Sequence, residues 1–172
     1  MTHVHRQALV RHTPEQMFDL VNDVEAYPRR FAWCADAKVR ERGEDFLVAR
    51  MDLRFAGFTQ HFVTRNTIKR PRCIAMHFVE GPFRTLTGEW LFTPLGEKLA
   101  SPGPAGRLAR QAGEGELKQP ASTSAIQGCK VSLTLDFEIN NPLTGLALRI
   151  GFQKLADRMV DDFVAQSNRT DA

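Results

Sequence analysis

The 172-residue sequence has few of the features that mark secreted, zinc-binding or membrane-spanning proteins. Its three cysteines lie far apart and show no CxxC or Cys/His spacing, which argues against a disulfide framework or a zinc site. No stretch approaches the roughly 18 consecutive apolar residues of a membrane span. No apolar segment of a secretory signal follows the first basic residue. We therefore expect a protein of the reducing cytoplasm whose thiols fill the core.

Signatures of catalysis are equally scarce. The sequence contains no GxSxG, P-loop or dinucleotide-binding motif, and its five histidines show no paired carboxylate or metal spacing. His3 and His5 share one face of the first predicted strand. Their spacing is better explained by a solvent-exposed terminal strand than by a two-histidine metal site. The carboxylates of Asp157, Asp161 and Asp162 fit the wet face of a helix. We expect no catalytic residue, no metal and no enzyme activity.

What the sequence does contain is a long amphipathic helix near its C-terminus. Apolar residues recur at steps of three and four over residues 142–166, which is the helical period. Asn140 or Asn141 can cap this helix, and Pro142 fits its first turn. A helix with so much apolar surface needs a sheet to cover it. The predicted apolar face consists of Leu143, Leu146, Ala147, Leu148, Ile150, Phe152, Leu155, Met159 and Phe163.

The chain before that helix has mostly the alternating polarity of β-strands. Thr13, Pro14 and Gln16 form a helix-start signature, and a second short helix is predicted at residues 29–34. The predicted strands are residues 3–11, 38–42, 46–55, 58–68, 74–78, 84–93 and 129–139. Because short turns join most of them, they predict an antiparallel sheet with one dry face.

Residues 97–128 do not fit this sheet. They include a run rich in proline and glycine at 102–106 and few large apolar residues. Such a composition cannot bury enough surface to order itself, so it predicts a flexible insertion in the last hairpin. The chain as a whole, residues 1–172, is predicted to form a single domain.

Three stretches of the chain carry a family resemblance. Residues 22–28, followed by Cys34, fit the pattern NDVxxYP…C, residues 81–94 fit GPFxxLxGxWxFxP, and residues 136–141 fit a closing strand and helix start. Together they resemble the START-like (polyketide cyclase/dehydrase-like) superfamily, in the branch that contains the bacterial ribosome association toxin and the coenzyme Q-binding protein. The resemblance implies an α+β helix-grip fold, with an antiparallel sheet wrapped around the long C-terminal helix.

A sheet that grips a helix leaves a cleft between the two, and ligand clefts are mostly apolar with a few polar groups. The inward polar candidates are Gln60, Thr64 and Asn66. Alternatively, the inward apolar residues only fill the hydrophobic core. The surplus of Phe and Met over branched residues favours a cleft that can adapt to a ligand. The resemblance implies a long-chain isoprenoid quinone such as ubiquinone, bound without turnover in support of respiration, and no cofactor. The predicted ligand contacts are Met51, Leu53, Phe55, Phe62, Met76, Phe78, Phe83, Trp90, Phe92, Phe152, Leu155 and Met159.

The resemblance also implies a function of a different class, which the sequence does not separate from the first. This is docking on the large ribosomal subunit, which blocks subunit association. Arg29, Arg30, Arg70 and Arg72 are the candidates for contact with RNA phosphates or lipid head groups, although such clusters are also common on ordinary surfaces. The net charge of +3 permits either contact and argues for neither. We expect a cytoplasmic protein that binds no DNA. The alternative is a protein that contacts the inner face of the membrane peripherally. A cyclase or hydrolase is a weaker third hypothesis for want of an acid–base pair.

Overall fold

The computed structural model describes residues 1–55, 57–95, 128–140, 143 and 145–170. Within them, seven strands and three α-helices form an α+β domain. In chain order the elements are β1 (Thr2–Val10), α1 (Pro14–Asn22), a 3₁₀ turn (Val24–Ala26), α2 (Tyr27–Arg30), β2 (Cys34–Arg42), β3 (Phe46–Phe55), β4 (Phe58–Lys69), β5 (Cys73–Glu80), β6 (Phe83–Pro94), β7 (Cys129–Ile139) and α3 (Gly145–Thr170).

The seven strands form one sheet in the order β1-β7-β6-β5-β4-β3-β2, and every neighbouring pair is antiparallel. Alternation on β7 separates the two faces, since Val131, Leu133 and Phe137 are fully buried. These side chains point towards α3, which lies across the dry face of the sheet. The predicted helix-grip architecture is therefore confirmed.

The start of α1 is fixed by the predicted capping box. The backbone N–H of Gln16 donates to Thr13 Oγ1 at 3.1 Å, and the backbone N–H of Thr13 donates to Gln16 Oε1 at 2.8 Å. Two N–H groups that the helix cannot satisfy are thus paired, while Pro14 occupies the first turn, where no donor is needed.

The second short helix differs from the prediction of residues 29–34. It spans Tyr27–Arg30, and Phe31 is already extended with φ −128° and ψ 127°. Phe31 and Trp33 are 5% and 6% exposed, so they belong to the core rather than to one face of a surface helix. The chain unwinds here because both rings must reach the same aromatic cluster. In consequence β2 begins at Cys34, four residues before its predicted start.

The apolar face of α3 is covered along most of its length but not at its start. Leu148, Phe152, Leu155, Met159 and Phe163 are buried, as predicted. The prediction is wrong for the first turns, where Leu146 and Ile150 are 60% and 43% exposed, Ala147 is exposed, and Leu143 before them is 92% exposed. Phe152 already packs on Phe137 near the end of β7, with ring centroids 4.8 Å apart. The sheet therefore covers little of the helical turns that precede Phe152.

Some predictions fall on residues outside this description. Residues 141, 142 and 144, where the helix was predicted to start, are among them, and so is the predicted insertion apart from Gly128. On either side of it β6 and β7 remain paired, and the Leu95 N–H donates to the Gly128 carbonyl oxygen at 3.0 Å. Among the described residues, none of the helices combines the length and the hydropathy of a transmembrane span.

Candidate functional site

An internal cavity of about 50 Å³ lies between the sheet and α3. A cavity needs about 10–15 Å³ of this volume to hold one water molecule, so the cavity can hold a few waters or one small chemical group. Pockets that hold drug-sized ligands usually measure about 300–1,000 Å³. A long-chain quinone would therefore need the sheet and the helix to separate.

Six of the predicted ligand contacts line the cavity: Met51, Phe62, Met76, Trp90, Phe152 and Met159. The other six, Leu53, Phe55, Phe78, Phe83, Phe92 and Leu155, lie in or against the surrounding core and not on the cavity wall. Alternation identifies the inward face of a strand, but the distance of each residue from the cavity depends on where α3 crosses the sheet. Contact of any of the twelve with a ligand stays a prediction.

One end of the cavity is closed by an aromatic cluster around Phe152. Its ring packs edge-on against Phe55, Phe62, Phe83 and Phe137, with centroid distances from 4.8 to 6.1 Å. Edge-to-face pairs in this range add stability beyond simple burial. The cluster joins α3 to four strands and contains Phe55 and Phe83, two of the six predicted contacts that the cavity does not reach.

The other end is closed by a second cluster, three helical turns further along α3. The Phe163 ring contacts Tyr27, Phe31, Trp33 and Trp90, with centroid distances from 4.7 to 6.4 Å. Both tryptophans of the protein therefore border the cavity. Met159 lies between the two clusters and is the flexible part of the helical wall.

The cavity wall carries few polar side chains, among them Asn22, Tyr27, Thr64 and Asn66. Thr64 Oγ1 donates a hydrogen bond to Asn66 Oδ1 at 2.9 Å, and the two residues are 2% and 7% exposed. Gln60, the third predicted polar candidate, is not on the wall. The Tyr27 hydroxyl donates to the Val21 carbonyl oxygen, and burial raises the pKa of Tyr27 far above its ordinary value. Among the lining residues that the structure describes there is no carboxylate, histidine or lysine, so the wall offers hydrogen bonds rather than acid–base chemistry.

Two glycines explain the motif of residues 81–94. A Cβ at Gly88 would lie 2.5 Å from Leu135 Cδ2 and 2.6 Å from Met76 Cε, and both neighbours line the cavity. Gly88 therefore leaves room for them. Gly81 has φ +141°, a conformation that other residues rarely adopt, in the turn between β5 and β6.

The cysteines are mostly core residues, as predicted. Cys34 and Cys129 are 1% and 0% exposed, and burial raises the pKa of each thiol to about 11. Cys73 departs from the prediction because it is only partly buried, with Sγ 3.5 Å from Glu89 Oε2. Each thiol stays protonated at neutral pH and is a poor nucleophile.

Two of the four predicted basic contacts pair with carboxylates in α1 or directly after it. Arg70 donates two hydrogen bonds to Asp19, both at 2.8 Å, and Arg30 lies 3.4 Å from Asp23. Asp19 lies in the last turn of α1 and Asp23 directly follows its last residue, so both arginine clusters reach the same helix end. Arg29 and Arg72 are exposed. A bidentate carboxylate competes with phosphate for the same guanidinium, so Arg70 is a weak candidate for RNA contact.

Sequence reasoning missed an open groove of about 460 Å³ beside α2, which we call the arginine groove. Local patterns had identified Arg54 as the outward face of a strand and Arg158 as the wet face of a helix. Neither pattern shows that tertiary folding brings these residues together. The groove is lined by Arg30, Phe31, Ala32, Trp33, Arg54, Arg158, Asp162, Ala165, Gln166 and Arg169.

Trp33 forms a wall between the arginine groove and the internal cavity, since it lines both. Its indole N–H donates to Asp162 Oδ2 at 2.9 Å, and its ring stacks on Phe31 at 4.8 Å with an interplanar angle of 11°. These two contacts fix the indole in place. The molecule thus has an inner apolar compartment and an outer basic one.

Comparison with solved structures supports the class of fold. The chain is similar to the Zhui aromatase/cyclase from Streptomyces sp. R1128, with a TM-score of 0.75 and 16% identity over 99% of this chain and 96% of that one. It is also similar to a START superfamily protein from Mycobacterium smegmatis, with a TM-score of 0.70 and 15% identity over 98% of both chains. At these identities the likeness shows a START-like helix-grip fold and no more.

The sequence also matches a protein family and individual relatives at higher identity. The family described as polyketide cyclase / dehydrase and lipid transport matches residues 10–164. The ribosome association toxin RatA of Vibrio cholerae is 35% identical over 98% of this chain and 97% of its own length. The RatA of Escherichia coli K12 is 32% identical over 97% of this chain and 87% of its own length. The chain belongs to the polyketide cyclase/dehydrase and lipid transport family, as a relative of the ribosome association toxins.

Proposed function

We propose that this protein binds the large ribosomal subunit and blocks its association with the small subunit. The observation that carries the proposal is the similarity to proteins named ribosome association toxins, which extends over nearly the whole chain at 31–35% identity in Vibrio cholerae, Escherichia coli and Pseudomonas aeruginosa. Such a protein works in the cytoplasm, where ribosomes are found.

The geometry of the two compartments favours this proposal over carriage of a long lipid. The internal cavity holds about 50 Å³, whereas the arginine groove is open and measures about 460 Å³. A surface groove can receive part of a macromolecule without any rearrangement of the core. Dense packing of the two aromatic clusters makes expansion of the inner cavity costly.

A subunit association assay tests the proposal. Purified large and small subunits are mixed with and without the protein, and sucrose gradients measure the fraction in whole ribosomes. We expect that fraction to fall as protein is added, and the protein to sediment with large subunits alone but not with small subunits alone. Unchanged association, with no protein in the large-subunit fraction at low salt, would contradict the proposal.

A second candidate is binding of a small apolar ligand with one polar group. It is favoured by the Thr64–Asn66 pair, which places polar groups inside a mostly apolar wall. Ubiquinone as that ligand, with a role in respiration, stays a prediction from the resemblance. So does the expectation that the protein is not an enzyme, because the family description covers cyclases as well as lipid transport.

A further inference from the structure

The arginine groove gathers side chains from three separate parts of the chain. Arg30 comes from α2, Arg54 from the end of β3, and Arg158 and Arg169 from the C-terminal half of α3. Asp162 is the single carboxylate on the wall that the structure describes. Four cations around one anion give the groove a positive potential, which its concave shape concentrates.

The contacts of these arginines leave much of their charge uncompensated. Arg54 Nη1 donates to the Ala32 carbonyl oxygen at 3.0 Å, and a carbonyl carries no net charge. Arg158 Nε lies 3.3 Å from Asp162 Oδ2, but that oxygen also accepts the Trp33 indole N–H. No ion pair of the exposed Arg169 is found among the residues described. Arg30 Nη1 lies 3.4 Å from Asp23 Oδ2, but it is buried and makes no hydrogen bond to the residues described.

We propose that the arginine groove binds the phosphate backbone of ribosomal RNA, an inference that rests on the proposed function. Guanidinium groups match phosphate oxygens in bidentate geometry and remain charged at every physiological pH. A groove that presents several of them can follow successive phosphates of one strand, and such contacts give affinity without reading sequence.

The same surface is less suited to a protein or a membrane. Protein interfaces use large aromatic anchors, but Phe31 and Trp33 are 5% and 6% exposed and already packed against each other. A lipid surface is flat on this scale and meets convex basic patches more readily than a groove. RNA is therefore the partner that the charge and shape favour.

Two variants with equal charge change test the site. The groove variant carries Arg54→Gln, Arg158→Gln and Arg169→Gln, and the control variant carries Lys69→Gln, Arg70→Gln and Arg72→Gln in the turn between β4 and β5. Co-sedimentation with purified large subunits is measured from 50 to 200 mM salt. We expect the groove variant to bind more than tenfold more weakly, and its log–log salt slope to fall by about 2–3, since each lost phosphate contact removes roughly 0.7–0.9. The control variant should bind like the wild type.

Photo-crosslinking identifies the partner chemistry. A p-benzoylphenylalanine at position 165, an exposed place on the groove wall, should crosslink to ribosomal RNA. The same group at position 91, on the exposed face of β6, serves as the control and should not. Crosslinks from position 165 to ribosomal protein alone would overturn the assignment to RNA.

The outcomes separate this inference from the proposed function. If the wild type binds large subunits and the groove variant binds equally well, the groove assignment is wrong and the proposed function stands. If both variants weaken alike, net charge rather than the groove drives binding, which also overturns the inference. If the wild type does not bind at low salt, the proposed function fails and the groove assignment fails with it. Thermal unfolding of each variant verifies that it is folded.

Discussion

The internal cavity and the arginine groove share one wall, the indole of Trp33, and differ in size, polarity and access. The cavity holds about 50 Å³ between two aromatic clusters, and in its wall Thr64 is hydrogen-bonded to Asn66. The groove measures about 460 Å³, opens to solvent and carries four arginines. A fold whose relatives include cyclases and lipid-transport proteins has here kept its inner space small and gathered charge outside. The fold alone therefore does not determine which compartment carries the function.

The greatest loss of folding stability is expected from a buried charge on α3, the helix that closes the cavity. Leu155 is 5% exposed, so Leu155→Asp would bury a charge without a partner. We expect it to lower the free energy of unfolding by more than about 3 kcal/mol or to prevent folding. Lys154→Asp, on the exposed face one residue away, should change it by less than about 0.5 kcal/mol. Chemical unfolding followed by circular dichroism measures both, and similar damage from the two would show that the assigned face of α3 is wrong.

That face also shows how far the sequence could predict the fold. The strict alternation of β7 and the three-and-four spacing of α3 each report a local period. The strand formed at its predicted bounds, whereas α3 continues to Thr170, four residues beyond the predicted end. The period could not show that Leu146 and Ile150 lie beyond the cover of the sheet, because coverage depends on where β7 ends in space. Likewise, Phe31 and Trp33 were predicted to be helical, but Phe31 is extended, Trp33 lies in a turn, and both are buried in a shared aromatic cluster.

The candidate site was less predictable than the fold. Half of the predicted contacts line the cavity, since alternation gives the direction of a side chain but not its distance from the helix. The arginine groove had no sequence signal at all. Arg54 and Arg158 are 104 positions apart, and each looked like an ordinary solvated residue in its own element. The acidic partner of Arg70, Asp19 on α1, was likewise hidden by its separation in sequence.

A smaller effect is expected from the polar pair inside the cavity. Thr64→Val alone leaves the buried Asn66 amide oxygen without its donor, so we expect a cost of about 1–3 kcal/mol. The double variant Thr64→Val/Asn66→Leu removes both partners and adds apolar volume where space exists, and it should unfold within about 1 kcal/mol of the wild type. Urea unfolding of the two single variants and the double variant forms a complete cycle. Additive losses in the double variant would show that the two residues do not act as a pair.

A smaller change is expected in tryptophan fluorescence, which tests the role of Trp33 between the cavity and the groove. Ubiquinone in the cavity should quench both tryptophans, because Trp33 and Trp90 both border it. Trp90→Phe and Trp33→Phe should each keep part of a saturable response. A tail-less quinone that quenches equally, without saturation, would show collisional quenching and remove this support for quinone binding. Loss of the whole response in Trp33→Phe would instead place the quinone in the groove.

The separation of the two compartments is tested most directly by co-sedimentation of two variants with purified large ribosomal subunits. One is the cavity variant Thr64→Val/Asn66→Leu, and the other is the groove variant Arg54→Gln/Arg158→Gln/Arg169→Gln. We expect the cavity variant to sediment with large subunits as the wild type does, and the groove variant to remain in the supernatant at 200 mM salt. The reverse pattern, with the groove variant bound and the cavity variant lost, would contradict the account and show that ribosome binding depends on the inner compartment.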